Sequence, residues 1–168
     1  DPTVVSIIGS NNSILSAGTS IVSVTQMSDS NYQSLTGSFT ITVNKANPMI
    51  NITDIVKNYN DPDFYLSATS SSTGSFRYFP LKLGVVSING SSTTILSADS
   101  TVVSVTQAPD LNYNSATTTF TVSINKTDLG ISWVPSYNSV FGDPPFNVNQ
   151  PVFDASYSGS ITSVSYTH

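Results

Sequence analysis

The chain has 168 residues and a net charge of −5 at a sequence pI near 4.3; Ser and Thr number 51, all ten acids are Asp, and Glu and Cys are absent. That balance excludes nucleic-acid binding, which needs clustered Lys and Arg, because the five basic residues Lys45, Lys57, Arg77, Lys82 and Lys126 are scattered and make no patch. No run of about 18 apolar residues is present to span a membrane, and the residues that dominate the chain (Val, Ile, Thr, Tyr and Phe) are strand formers, not helix formers.

In chain order, the first element met is one half of a repeat. Residues 4–45 recur at 85–126 with a constant offset of 81 and no gap, and 24 of the 42 pairs are identical. Val-Val-Ser-Ile at 4–7 returns at 85–88, Ile-Leu-Ser-Ala at 14–17 returns at 95–98, and Val-Ser-Val-Thr-Gln at 22–26 returns at 103–107. Tyr32 falls on Tyr113, Phe39 on Phe120, and Asn44-Lys45 on Asn125-Lys126. A fixed period of this kind decides the architecture before any local reading does.

Residues 46–126 form one complete unit, in which apolar residues alternate with period two in short runs. The runs 49–52, 64–69, 75–81, 84–88, 93–96, 101–106 and 117–124 predict seven strands, the number expected of a β-sandwich of about 80 residues. Within 117–124, Phe120, Val122 and Ile124 make the predicted core face, and Thr119, Thr121 and Ser123 the outer one. Turn chemistry separates the runs at Ser72-Thr73-Gly74, Asn89-Gly90-Ser91, Ala98-Asp99-Ser100 and Ala108-Pro109-Asp110, with Asn89-Gly90 suited to the positive φ of a tight hairpin.

The last stretch, 127–168, repeats the front of the complete unit: Phe141-Gly142-Asp143-Pro144-Pro145-Phe146 aligns with Tyr59-Asn60-Asp61-Pro62-Asp63-Phe64 at an offset of 82. The predicted organisation is therefore the rear half of a repeat at 1–45, a complete repeat at 46–126, and the front half of the next at 127–168, completed by the adjacent copy. Joining His168 notionally to Asp1 leaves one residue fewer between Tyr166 and Val4 than lies between Tyr78 and Val85. The expectation is a two-unit stretch of a longer periodic chain, one helical repeat of a fibre. No signal peptide is recognisable, as expected of such an internal stretch, and the absence of Cys leaves the redox compartment open.

Four segments carry a family resemblance: Tyr59-Asn60-Asp61-Pro62-Asp63-Phe64, Val105-Thr106-Gln107, Asn112-Tyr113, and Thr42-Val43-Asn44-Lys45-Ala46. Together they resemble the bacterial-type immunoglobulin-like repeats of the MBG or YDG type, over essentially the whole chain. Two departures fall in loops: Asn60 stands where the family has Gly, and extra residues lie at 147–153. The resemblance implies all-β, tandem immunoglobulin-like sandwiches of the kind found in surface adhesins, filaments and viral or phage fibres. Function still has to be argued from sites.

Chemistry is sparse. Asp61 and Asp63 are the closest acid pair, but they flank Pro62 in a turn of the repeat and do not face each other across a substrate as glycoside hydrolysis requires. A calcium site built by Asp54, Asp61, Asp63 and Asp110 is disfavoured, because no Glu offers bidentate ligation and Pro145 replaces Asp63 in the next unit. A Ser-His-Asp triad would have to use His168, the single His. Trp133, equivalent to Ile52, reads as core, as do the paired aromatics Tyr59 and Phe141. Tyr at both 32 and 113 suggests a hydrogen bond across a sandwich corner. Isopeptide crosslinks from Lys45 or Lys126 lack the Glu that usually assists them.

Asn-x-Ser/Thr sequons at Asn11, Asn51, Asn89 and Asn125 make these the candidate N-glycosylation sites, with the Ser/Thr-rich outer faces open to O-linked sugars. The expected protein is thus no enzyme and has no cofactor or metal. It is a glycosylated structural component of an extracellular or cell- or virion-surface fibre, a filament or stalk whose partners are copies of itself head to tail. The half-units would be completed by covalent continuation, the favoured route, or by strands from a neighbouring subunit. The alternative is an adhesin module whose loops recognise a surface glycan or protein; equal loop lengths at 10–14 and 91–95 favour a spacer, and 147–153 is the one candidate for specialised contact.

Overall fold

The computed structural model of the chain describes residues 1–128, 138, 140–144, 159, 160 and 162. The chain divides into two compact units, Asp1–Lys126 and Thr127–His168. Among the described residues there is no helix, and eleven strands follow in order: β1 (Val5–Ile8), β2 (Asn11–Ile14), β3 (Gly18–Gln26), β4 (Leu35–Val43), β5 (Ile55–Asn58), β6 (Phe64–Tyr65), β7 (Phe76–Pro80), β8 (Val86–Asn89), β9 (Ser92–Ile95), β10 (Ser100–Gln107) and β11 (Ala116–Asn125). The trailing strands β8 to β11 lie close to the predicted runs.

Residues 46–126 build a four-stranded sheet in the order β5-β11-β10-β7 and a three-stranded sheet in the order β6-β9-β8. The centre is the antiparallel pair β10–β11, in which Val103 faces Phe120 and Thr101 faces Val122. Period-two alternation sends Thr101, Val103, Val105 and Gln107 of β10, and Phe120, Val122 and Ile124 of β11, into the interior, where all are buried. Leu66, Val85 and Val86 join the same core, and Ile52, Ile55, Tyr59, Phe64, Phe76 and Tyr78 pack on its flank. The outer face is held by paired hydroxyls, as in Thr106 with Thr117 at 3.0 Å.

The front of the unit departs from the periodicity. The predicted strand at 49–52 contributes only an isolated bridge between Asn51 and Thr69, and the first true strand is β5, which pairs parallel to β11 with Val122 beside Ile55. The predicted run 64–69 is a strand only at Phe64–Tyr65, after which Leu66 N–H donates to the Ser91 carbonyl. In the β8–β9 hairpin Asn89 closes the last ladder pair with Ser92, and Gly90 alone takes the positive φ, at +62°.

Residues 1–45 reproduce the rear of this unit in identical register. Val5 pairs with Ile14 as Val86 pairs with Ile95, and Thr19 pairs with Thr42 as Ser100 pairs with Ser123. The sheets stop at two strands, however, β1-β2 and β3-β4. The same residues therefore meet opposite surroundings: Val105 is 0% exposed and its counterpart Val24 60%, and Phe120 is 4% exposed against 52% for Phe39.

This contrast sets a mutational expectation. Val105→Ala removes buried methyl groups and should lower unfolding free energy by about 2 kcal/mol. Val24→Ala, the same change at the same register position, should stay within about 0.5 kcal/mol. Urea titrations of the two variants check this, and equal losses would contradict the burial difference.

Candidate functional site at the seam between repeats

The repeats meet at a turn whose shape is written in four residues. Asp110 accepts the backbone N–H groups of Asn112 and Tyr113 on one carboxylate oxygen, both at 2.8 Å, and its own N–H donates to the Tyr113 carbonyl at 3.1 Å. Asp29 makes the same turn with Asn31 and Tyr32, also at 2.8 Å. In the complete unit the second oxygen of Asp110 takes Thr73 N–H at 2.7 Å, Ser72 Oγ–H at 2.9 Å and Thr73 Oγ1–H at 3.0 Å. The Thr73 N–H is the chief cause, with the Ser72 hydroxyl and the N–H groups of Asn112 and Tyr113 adding to it against an opposing desolvation, that holds the Asp110 carboxyl well below the usual carboxylate range.

The loop that supplies those donors is fixed from within. Gln107 is fully buried, accepting Ser70 Oγ–H at 2.6 Å and donating from Nε2 to the carbonyls of Ser72 and Gly74 at 3.0 and 2.9 Å. Gly74 is required by close approach, since a Cβ there would lie 1.8 Å from the Ala108 carbonyl oxygen. A satisfied buried amide of this kind specifies one loop conformation.

Held in this way, the turn presents its far side to the preceding repeat and to the opening residues of its own. Ala17 N–H donates to Asn112 Oδ1 at 2.8 Å, and Lys45 Nζ donates to the Asp110 carbonyl at 2.6 Å. Ala46 forms a parallel bridge with Tyr113, its N–H donating to the Asn112 carbonyl at 2.9 Å and its carbonyl accepting Asn114 N–H at 2.8 Å. Asn114 Nδ2 reaches Asn47 Oδ1 at 2.8 Å, and Pro48 is buried just beyond. A cleft of about 260 Å³ lies along the seam, lined by Ile14, Leu15, Val43, Ala46 and Tyr113 among others. The link after Asn44-Lys45 is thus a hydrogen-bonded joint.

The candidate glycosylation residues are spread over this scaffold. Asn11 opens β2, Asn51 sits in the bridge to Thr69, Asn89 ends β8 and Asn125 ends β11, and all four are exposed. The acids considered for calcium do not come together, and no group of three metal-ligating side chains exists among the described residues. Asp54 accepts Thr121 N–H, Asp61 accepts Asn58 N–H and Asp63 accepts Thr94 Oγ1–H, each within its own neighbourhood. Tyr113 contributes to the seam through its backbone, and the Tyr78 hydroxyl ties a loop by accepting Ala68 N–H at 3.0 Å. Trp133, Pro145, 147–153, Tyr166 and His168 lie outside the described residues. No helix among the described residues is long and apolar enough to cross a membrane.

Gln107 was not singled out from the sequence, although the alternation that buries Val103 and Val105 extends to it and could have found it. Asn112 gave no such signal. No protein-family model matches the chain, and no curated protein matches it.

Asp110→Asn should lower the melting temperature at pH 7 and flatten the acid limb of stability. A carboxyl held low in the folded chain contributes fully above its unfolded pKa, about 4, and loses that contribution as the pH falls through the folded value. Thermal melts from pH 7 to pH 2 test this, and acid limbs that run parallel in the two proteins would refute it.

Proposed function

We propose that the chain is a structural segment of an extracellular, cell-surface or virion-surface fibre, built from tandem immunoglobulin-like β-sandwiches that act as filament or stalk. The observation that carries this reading is the seam. One side of it uses Ile14, Leu15, Ala17 and Lys45, which recur as Ile95, Leu96, Ala98 and Lys126; the other uses Asp110, Asn112 and Tyr113, which recur as Asp29, Asn31 and Tyr32. Every repeat carries both complementary sides, at different places on its surface. A head-to-tail contact of that type is heterologous, and when its rotation does not close, it propagates as a filament.

The two sheets sharing one core support a sandwich for each unit. Exposed sequons at Asn11, Asn51, Asn89 and Asn125 support a sugar coat on the fibre, with no catalytic role. An adhesin module has one observation on its side: an apolar cleft of about 390 Å³ lined by Tyr78, Phe79, Leu83, Val86, Ile88 and Leu96. Its lining includes Leu96, the counterpart of the seam residue Leu15, so a ligand there would border the next joint.

Antibodies against residues 46–126 should label the isolated surface fibre at regular intervals along its length in negative-stain micrographs, and deglycosylation should lower the denatured mass of the source polypeptide. Label confined to a tip would favour the adhesin, and label absent from fibres would end the fibre reading.

A further inference from the structure

We infer that Asn89 is a self-modifying residue: the backbone nitrogen of Gly90 displaces its side-chain amide as ammonia, and the tip of the β8–β9 hairpin converts with time to aspartyl and isoaspartyl forms. Asn89-Gly90 is the single Asn-Gly pair in the chain, and glycine has no side chain to shield the nitrogen that attacks. The space around the turn is open, since a Cβ on Gly90 would meet nothing within 4 Å. Both residues are exposed, and among the described residues neither the Asn89 amide nor the Gly90 N–H makes a hydrogen bond. The leaving group is unanchored and its attacker unprotected.

The chain carries its own comparisons. The β1–β2 hairpin turns at Gly9 with φ +64°, against +62° at Gly90, and closes on the pair Ile8–Asn11 as this one closes on Asn89–Ser92. The backbones match, but Ile8 has no amide to lose. The other three sequon asparagines, Asn11, Asn51 and Asn125, are exposed too, yet they are followed by Asn12, Ile52 and Lys126, whose side chains crowd the attacking nitrogen. Asn51 is also tied through its backbone to Thr69 at 2.8 and 3.0 Å, and Asn125 Nδ2 reaches Asn58 Oδ1 at 3.5 Å.

The reaction needs no helper but water. The Asn89–Ser92 pair, last in its ladder, opens at little cost, as hairpin tips do. The Gly90 nitrogen then bonds to Asn89 Cγ, the Cγ–Nδ2 bond breaks, and solvent carries the proton from one nitrogen to the other, so that ammonia departs and a succinimide ring remains. Water opens that ring. Breaking the new bond to Cγ restores the backbone with an ordinary aspartyl, whereas breaking the original peptide bond leaves the chain running through the side chain, one methylene longer. In sum, an amide and water become a carboxylic acid and ammonia, with no change of oxidation state.

The longer product does not fit the fold around it. The ladder from Val86–Ile95 to Asn89–Ser92 and the bond from Leu66 N–H to the Ser91 carbonyl at 2.8 Å are both matched to a turn of the present length. A methylene added before Gly90 cannot keep both, so ageing loosens β8 against β9. The same amide nitrogen would carry an N-linked sugar, and the two modifications compete for it.

The test ages the whole chain, purified from a host that does not N-glycosylate, at neutral pH in heavy-oxygen water, and follows it by peptide mapping with enzymatic methylation of isoaspartyl residues. Ammonia should be lost at Asn89 ahead of Asn11, Asn51 and Asn125, with one heavy oxygen entering, and faster as the pH is raised. Hydrogen exchange across 86–95 should quicken as the isoaspartyl fraction grows. Asn89→Ile, which copies the other hairpin, should keep its exchange on ageing, and Asn89→Asp, which supplies the charge without the methylene, should exchange as the fresh parent does. An Asn89 that keeps its amide, or loses it no faster than the other three, overturns the inference. Exchange that stays constant as isoaspartyl accumulates overturns the loosening of the hairpin.

Discussion

A β-hairpin with one apolar face cannot bury that face by itself, and the rest of this molecule is organised around that constraint. Two-stranded ribbons are marginal in water, and a domain needs a second layer to close its core. In the complete repeat the closing layer comes from the front half, whose Leu66 and flanking Ile55, Phe64, Phe76 and Tyr78 turn Val103, Val105, Phe120 and Val122 into interior. The rear hairpins supply a template; the front strands decide whether it becomes a core. Unpaired edges left open in this way are the sites where sheet proteins add strands from elsewhere.

Closing the core and joining the repeats are coupled through one turn. Asp110 faces two ways: its carboxylate gathers Ser72 and Thr73 of its own front half, and its carbonyl receives Lys45 of the preceding repeat. Gln107 fixes the loop that reaches Asp110, so a buried amide three residues before Asp110 helps determine the geometry of the joint. A repeat with an incomplete front half would thus present a less well-held seam to its neighbour. The physical unit of the repeat is a closed core together with its joint.

The rear of the repeat was legible because its signals are local. Strict alternation in 101–106 and 117–124 foretold β10 and β11 to within a few residues, and the Gly90 hairpin set the register of β8 against β9. The front was not, because β5 owes its existence to a parallel pairing with β11, reached across most of the repeat and unmarked by any hairpin. Its short Ile55–Asn58 run includes Lys57, whose ammonium rests over the Phe64 ring 5.6 Å from its centroid, so it looks more polar in sequence than it is in place. The repeat boundary at Asn44-Lys45-Ala46 was legible from the period but its partners were not, since Ala17 and Asn112 are separated by 95 positions. Repetition identified the seam residues as retained; only the fold showed what they are retained for.

The seam also has a chemical character that its hydrogen-bond inventory makes plain. Its contacts are peptide groups, asparagine amides and one ammonium resting on a carbonyl, and among the described residues no ion pair takes part in it. Joints made from opposed charges weaken as counter-ions accumulate, within a Debye length of about 8 Å at physiological ionic strength. A joint of amides against carbonyls has little for salt to screen, and with no cysteine anywhere in the chain it offers nothing for a reductant to cleave. The connection between repeats is thereby largely indifferent to the ionic and redox composition of the medium around it.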